Sequence, residues 1–220
     1  MSEDRACRRV PRVGTAVVSL PRRRLVRAGL AGAWCLLAPA APAMEIEDAA
    51  APVERLHDAL LAAAGEGDTA RARYTHLFPV VSDVFDFRAM SRAAVGRVWS
   101  EFSDAERAAL IERFAAYATA NYAENFDDAG GIDFRTVEVE AGRGKQVHVA
   151  TELVRDDAGP IRFDYLVFRG ERGPHILNVI VAGTMNELAR RRAEFRSLLE
   201  AGGLPHLLDT LEREKRALVG

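Results

Sequence analysis

The chain has 220 residues, 49% of them hydrophobic and 28% charged, with 30 Lys+Arg against 32 Asp+Glu and a formal net charge of −2. That balance excludes a strongly basic nucleic-acid binder, whose affinity would come from neutralised phosphates. The length is enough for one domain with a sizeable core, for which disulfides are not required.

The charge is unevenly spread. Arg5, Arg8, Arg9, Arg12, Arg22, Arg23, Arg24 and Arg27 precede the apolar run Ala28–Ala38, and Pro39-Ala40-Ala41-Pro42-Ala43 supplies small residues for a cut after Ala43. This is the layout of a secretory signal peptide. The run has 11 residues, short of the roughly 20 needed to span a bilayer. Arg22-Arg23-Arg24-Leu25-Val26 suits either a twin-arginine or an ordinary secretory signal. Residues 1–43 are therefore expected to be a cleavable leader and residues 44–220 a single exported domain. That domain holds 22 basic and 30 acidic residues, so it is acidic, with a net charge of about −8. Such a balance discourages non-specific adhesion to anionic lipid as well as to nucleic acid. Both cysteines, Cys7 and Cys35, lie in the leader, which leaves the domain without a disulfide or a thiolate metal site.

After the leader, Val53, Leu56, Leu60 and Ala64 fall on one face of a helix over Pro52–Ala64, which Gly65-Glu66-Gly67-Asp68 ends. A second helix is expected from about Thr69 to Phe78, stopped by Pro79. Phe85, Phe87, Met90, Ala94 and Val98 then suit a short helix entered from an extended segment. Ser103-Asp104-Ala105-Glu106 is a capping box opening a helix to about Asp127. Its buried stripe would be Leu110, Phe114, Tyr117, Asn121/Tyr122 and Phe126, and Gly130-Gly131 would stop it.

The period changes from 3.6 to 2 after that. Phe134, Thr136 and Val139 alternate with Arg135, Glu138 and Glu140, with Val137 off phase. Gly142-Arg143-Gly144-Lys145 turns the chain into Val147, Val149, Thr151 and Leu153 on one face. After Asp156–Gly159, Ile161, Phe163, Tyr165 and Val167 share a face, and Gly170–Gly173 leads into the apolar stretch His175–Val181. Four strands joined by short glycine turns describe an antiparallel meander. From Met185 a helix turns Leu188, Phe195, Leu198 and Leu199 inward and Arg190, Arg191 and Arg192 outward. Ala201-Gly202-Gly203 breaks it before a terminal helix with Leu204, Leu207, Leu208 and Leu211. The order predicts an α+β fold, with helices packed on one side of a curved four-stranded antiparallel sheet.

Enzyme chemistry finds little support. His57, His76, His148, His175 and His206 show no metal-ligand spacing, and no G-x-S-x-G elbow or phosphate loop is present. Asp164 and Tyr165 are the nearest acid–base candidates, but alternation places them on opposite faces. Neither catalytic nor metal-binding residues are assigned, and no cofactor is expected. On spacing alone the aromatic positions are core residues. Arg88, Arg92 and Arg97 suit either a cavity mouth or pairing with acids such as Asp86 and Glu101.

The pattern F-D-F-x-x-M-x-R-x-x-x-G-R-x-W from Phe85 to Trp99, followed by a capped helix, resembles the toluene-tolerance, or MlaC-like, family of periplasmic lipid-binding proteins. The resemblance runs from about Val53 to Leu211. A second block, Gly183-Thr184-Met185-Asn186-Glu187-Leu188-Ala189 continuing to Phe195, looks like the hopanoid-biosynthesis-associated subfamily; Ala182 stands where an acid would be expected. The resemblance implies a periplasmic carrier that holds phospholipid or hopanoid tails in an apolar cavity and shuttles them between inner- and outer-membrane complexes. Its expected lining is Leu60, Phe85, Met90, Trp99, Phe114, Tyr117, Tyr122, Phe163, Tyr165 and Val179, with Arg88 and Arg97 at the mouth or headgroup. The rival readings are a small periplasmic enzyme of cone-shaped α+β fold and a non-transporting accessory of a membrane transporter.

Overall fold

In the computed structural model of the chain, residues 46–66, 69–126, 132–155, 159–170 and 172–220 are described. The expected leader lies outside them, as does the stop at Gly130-Gly131. A 3₁₀ turn, Ile46–Ala49, leads into α1 (Ala51–Glu66), whose Val53, Leu56, Leu60 and Ala63 are buried at helical spacing.

Helix α2 (Ala70–Val84) starts where expected, with Thr69 Oγ1 accepting the Ala72 N–H at 3.2 Å. It does not stop at Pro79. The proline sits on the exposed side, and the helical bond that its missing N–H would make goes to Thr75, an exposed residue as well. Interior proline costs roughly 3 kcal/mol. Leu77, Val81 and Val84 stay buried on one stripe across it, and each such side chain contributes about 1.5–3 kcal/mol. Burial therefore outweighs the break. The buried Arg73 ties α2 to the end of α4, its Nε donating to the Ala123 carbonyl at 2.6 Å.

Phe85 is extended and bridges in parallel to Ile176, with the Asp86 N–H donating to the Ile176 carbonyl at 3.0 Å. Asp86 Oδ1 then accepts the Ala89 N–H at 2.9 Å and opens α3 (Phe87–Val95). A 3₁₀ turn, Gly96–Ser100, connects it to α4 (Asp104–Asn125). The capping box forms in full: Ser103 Oγ accepts the Glu106 N–H, and Glu106 Oε2 accepts the Ser103 N–H at 2.8 Å. Donation from the Ser103 hydroxyl, at 2.7 Å, and then from the Ser103 N–H holds the Glu106 carboxyl below its ordinary pKa. Leu110, Phe114 and Tyr117 are buried, and Asn121, Tyr122 and Phe126 are half-buried.

The strands β1 (Ile132–Ala141), β2 (Gln146–Arg155), β3 (Ile161–Gly170) and β4 (Gly173–Val181) pair as the expected antiparallel meander. Val137, the residue off phase, is a bulge: Thr136 pairs with Thr151 and Glu138 with Ala150, which leaves Val137 unpaired and 51% exposed. A second irregularity skips Leu177, since Leu166 pairs with Asn178 and Val167 with Ile176. Met185–Asn186 form a short fifth strand, β5, so the helix expected from Met185 begins at Glu187 instead.

That helix, α5 (Glu187–Val219), has two asparagine caps: Asn186 Oδ1 accepts the Ala189 N–H at 2.9 Å and Asn178 Oδ1 the Leu188 N–H at 3.0 Å. It kinks at Gly202 and Gly203. Gly203 has φ +68° and ψ −166°, a conformation essentially confined to glycine. One continuous core joins α1–α5 to the sheet face that carries Val147, Val149, Tyr165, Val167, Ile176 and Val179.

Candidate functional site

A cavity of about 320 Å³ lies between that sheet face and the helices. Each side of it follows from a local pattern. Phe85 comes from the extended residues before α3, Phe87 and Met90 from its start, and Ala118, Asn121, Tyr122 and Asn125 continue the α4 stripe from Phe114 at helical spacing. Phe163 on β3 and Val179 and Val181 on β4 are cross-strand neighbours on the inner face. Met185, Glu187, Arg190 and Arg191 form the remaining wall at the start of α5.

The wall is braced by rings. Phe114 packs edge-on against Phe87 and Phe195, with centroids at 5.3 and 5.1 Å, and Phe85 lies 5.6 Å from Phe87 and 6.1 Å from Tyr122. Such pairs hold one another in place beyond their burial, so the cavity has a rigid side. Burial raises the Tyr122 phenol far above its ordinary pKa, so it lines the cavity as a neutral hydroxyl.

The polar side is balanced within itself. Arg190 Nη2 donates to Glu187 Oε2 at 2.8 Å. The expected outward run Arg190–Arg192 is broken at its centre. Arg191 is buried, donating from Nη1 to the Tyr117 hydroxyl at 2.9 Å and to Glu194 Oε2 at 2.8 Å, with its guanidinium 4.5 Å from the Tyr117 ring centroid. A buried guanidinium with a carboxylate, a hydroxyl and an aromatic face has the partners it needs.

Of the expected lining residues, Phe85, Met90, Phe114, Tyr122, Phe163 and Val179 border the cavity. The other four stand elsewhere. Leu60 is sealed in the α1 core, and Tyr117 is occupied by Arg191. Trp99 lies in the 3₁₀ turn, its carbonyl accepting from Arg107 Nε at 3.1 Å and its ring beneath that guanidinium. Tyr165 is fully buried beside His57, whose Nε2 lies 3.0 Å from the Tyr165 hydroxyl and whose ring stacks on Phe134 at 3.8 Å. Burial lowers the His57 pKa to about 4 and raises that of Tyr165. Arg88 and Arg97 open onto a different cleft.

Sequence reasoning passed over Phe87, Ala118, Asn121, Asn125, Val181 and Met185 as lining. Most carried a usable signal: Ala118, Asn121 and Asn125 extend the Phe114 stripe, and Val181 is two residues from Val179. As for acid–base chemistry, Asp164 accepts from Arg162 Nε at 2.9 Å on the face opposite Tyr165. Among the described residues no cluster of three or more His, Cys, Asp or Glu is placed to hold a metal, and no helix is long and apolar enough to cross a membrane.

Comparison with known proteins places this architecture. The family model described as MlaC protein matches residues 53–213, more than half of the chain. The chain belongs to the MlaC family. Among solved structures it is similar to a phospholipid-binding protein from Ralstonia solanacearum, determined in complex with a phospholipid. The two share 20% identity and a TM-score of 0.66, covering 78% of this chain and 98% of the other. At that identity the likeness speaks for the fold, and it supports the α+β arrangement of an MlaC-family protein. Among curated proteins no sequence matches.

Proposed function

We propose that the protein is a lipid carrier that holds acyl tails of a phospholipid or hopanoid in the apolar cavity. The observation that carries this reading is the cavity itself, walled by Phe85, Phe87, Met90, Phe114, Phe163 and Val179, with its polar groups confined to Asn121, Tyr122 and Asn125 of α4 and to the start of α5. Burying a tail is worth roughly 0.8 kcal/mol per CH₂. About ten methylenes would therefore contribute roughly 8 kcal/mol, the scale of a micromolar complex before ordering costs are subtracted.

The volume sets a limit on how the ligand is held. A cavity of about 320 Å³ is at the small end of the roughly 300–1,000 Å³ spanned by ligand pockets. It suits part of one tail, so a two-tailed lipid requires the walls to part. The headgroup stays outside, next to Arg190 and Glu187. Family membership and the phospholipid held by the Ralstonia protein support a lipid as cargo.

On this reading the leader directs the protein to the periplasm, where it shuttles lipid between inner- and outer-membrane complexes without catalysing a reaction. The Gly183–Phe195 block supports hopanoid as the alternative cargo. Organic extraction of the purified protein followed by mass spectrometry should release lipid in near-stoichiometric amount. Protein from a lipid-replete host that yields none, and takes up none from liposomes, would end the carrier reading.

A further inference from the structure

Helix α3 separates two openings of different chemistry. Phe87 and Met90 line the apolar cavity, whereas Arg88 and Arg92 line a surface cleft of about 660 Å³. Arg97 from the following 3₁₀ turn and Arg192 from α5 complete it, with only small side chains between them. All four arginines are exposed. The one carboxylate in the cleft, Asp86, is engaged as the cap of α3, its Oδ1 accepting the Ala89 N–H at 2.9 Å.

Among the described residues none of these four guanidinium groups has an ion pair or a side-chain hydrogen bond. Elsewhere arginines do find acids, as Arg55 does with Asp83, Arg162 with Asp164 and Arg190 with Glu187. Four like charges gathered about a single carboxylate, with no ion pair to it, leave a positive excess that repels itself, and an anion entering the cleft relieves that repulsion. Guanidinium forks match phosphate oxygens in particular.

We propose that this cleft docks the protein on an anionic, phosphate-bearing bilayer surface, with α3 turned toward the membrane. The charge distribution favours that occupant. From residue 44 onward the chain carries 22 basic and 30 acidic residues, so an anionic surface attracts this face and repels most others, which orients the approach. Just before α5, Met185 is 52% exposed and borders the cavity, an apolar side chain available to a lipid interface. The proposal rests on the carrier reading for its purpose, since the docked bilayer would lie against the helix that walls the cavity. The docking itself depends only on charge. Each arginine near an anionic surface raises affinity roughly fivefold, or several hundredfold for four acting additively. The interaction should fade as salt shortens the screening length from about 10 Å at 0.1 M to about 3 Å at 1 M.

The test is flotation of the protein with vesicles of phosphatidylcholine, with and without phosphatidylglycerol, at low and high salt. The secreted form is used, or else the full chain, whose leader is then common to every protein compared. A variant carrying Arg88→Gln, Arg92→Gln, Arg97→Gln and Arg192→Gln is set against a control carrying Arg143→Gln, Arg169→Gln, Arg172→Gln and Arg196→Gln, with the same net charge. The cleft variant should lose at least about tenfold in binding to anionic vesicles while the control stays within about threefold of the parent. Equal loss in both variants, no loss in either, or equal binding to neutral vesicles overturns the proposal. Salt-sensitive capture of an acidic protein without vesicle binding overturns it too. Lipid extraction from the cleft variant keeps the two readings apart: bound lipid there upholds the carrier whatever the vesicles show.

Discussion

Phe163 and Tyr165 stand two residues apart on one face of β3, their rings 6.3 Å apart, yet they serve different regions. Tyr165 is sealed beneath α1, where the stacked pair of His57 and Phe134 fills the space above it. Phe163 faces the open cavity, across from Phe85, Phe87 and Met90. Both regions use the same aromatic and aliphatic residues. The difference shows that an inward-facing ring becomes core or cavity wall according to what the opposite element brings, and not according to its own chemistry.

Truncation should expose this contrast most strongly. Leu60→Ala removes a fully buried side chain from the filled region and should cost about 2–5 kcal/mol in urea unfolding. Met90→Ala, on the cavity wall, should cost roughly half as much, because one side of Met90 already lacks packing partners. Equal losses would mean that the cavity is packed as tightly as the core.

The filled region should also be the pH-sensitive one. His57 is held neutral, with its pKa lowered by burial from 6.5 to about 4. Between those values the unfolded chain takes up a proton that the folded protein refuses, so stability is complete above pH 6.5 and falls as pH drops toward 4. The loss is roughly 3 kcal/mol by linkage. His57→Gln, uncharged throughout, should flatten this part of the stability–pH profile; an unchanged slope would remove His57 as its cause.

A filling substitution addresses the open region. Ala118→Phe places a ring in the cavity and should reduce lipid recovered per protein about tenfold, with a stability change of less than about 1 kcal/mol because space exists. Undiminished lipid would place the tails elsewhere.

The smallest effect is expected where β4 leaves the cavity. Ala182 has φ +52°, the one non-glycine residue with positive φ among those described. Ala182→Gly should add about 0.5–1 kcal/mol to stability without changing lipid content.

Much of the fold was legible because its signals are local. Ser103 and Glu106 specify a helix start with their own atoms, Thr69 does the same for α2, and Val137 breaks an alternation that the structure resolves as a bulge. The candidate site was legible only in part. Phe85, Met90 and Phe114 could be read as inward-facing, but so could Leu60 and Tyr165, and spacing carries no information about the distance to the opposite wall. Pro79 shows the same limit: a local rule for ending α2 yields to the burial of Val81 and Val84.

The sequence by itself determined the order of helices and strands, the caps and the face that each element buries, because these depend on neighbours a few residues away. Only the tertiary structure decided that Arg191 turns inward to Tyr117 while Arg192 joins Arg88, Arg92 and Arg97 in a cleft. It alone left space beside Phe163 and none beside Tyr165. Those outcomes depend on groups brought together from across the chain, and no periodicity encodes the gap between them.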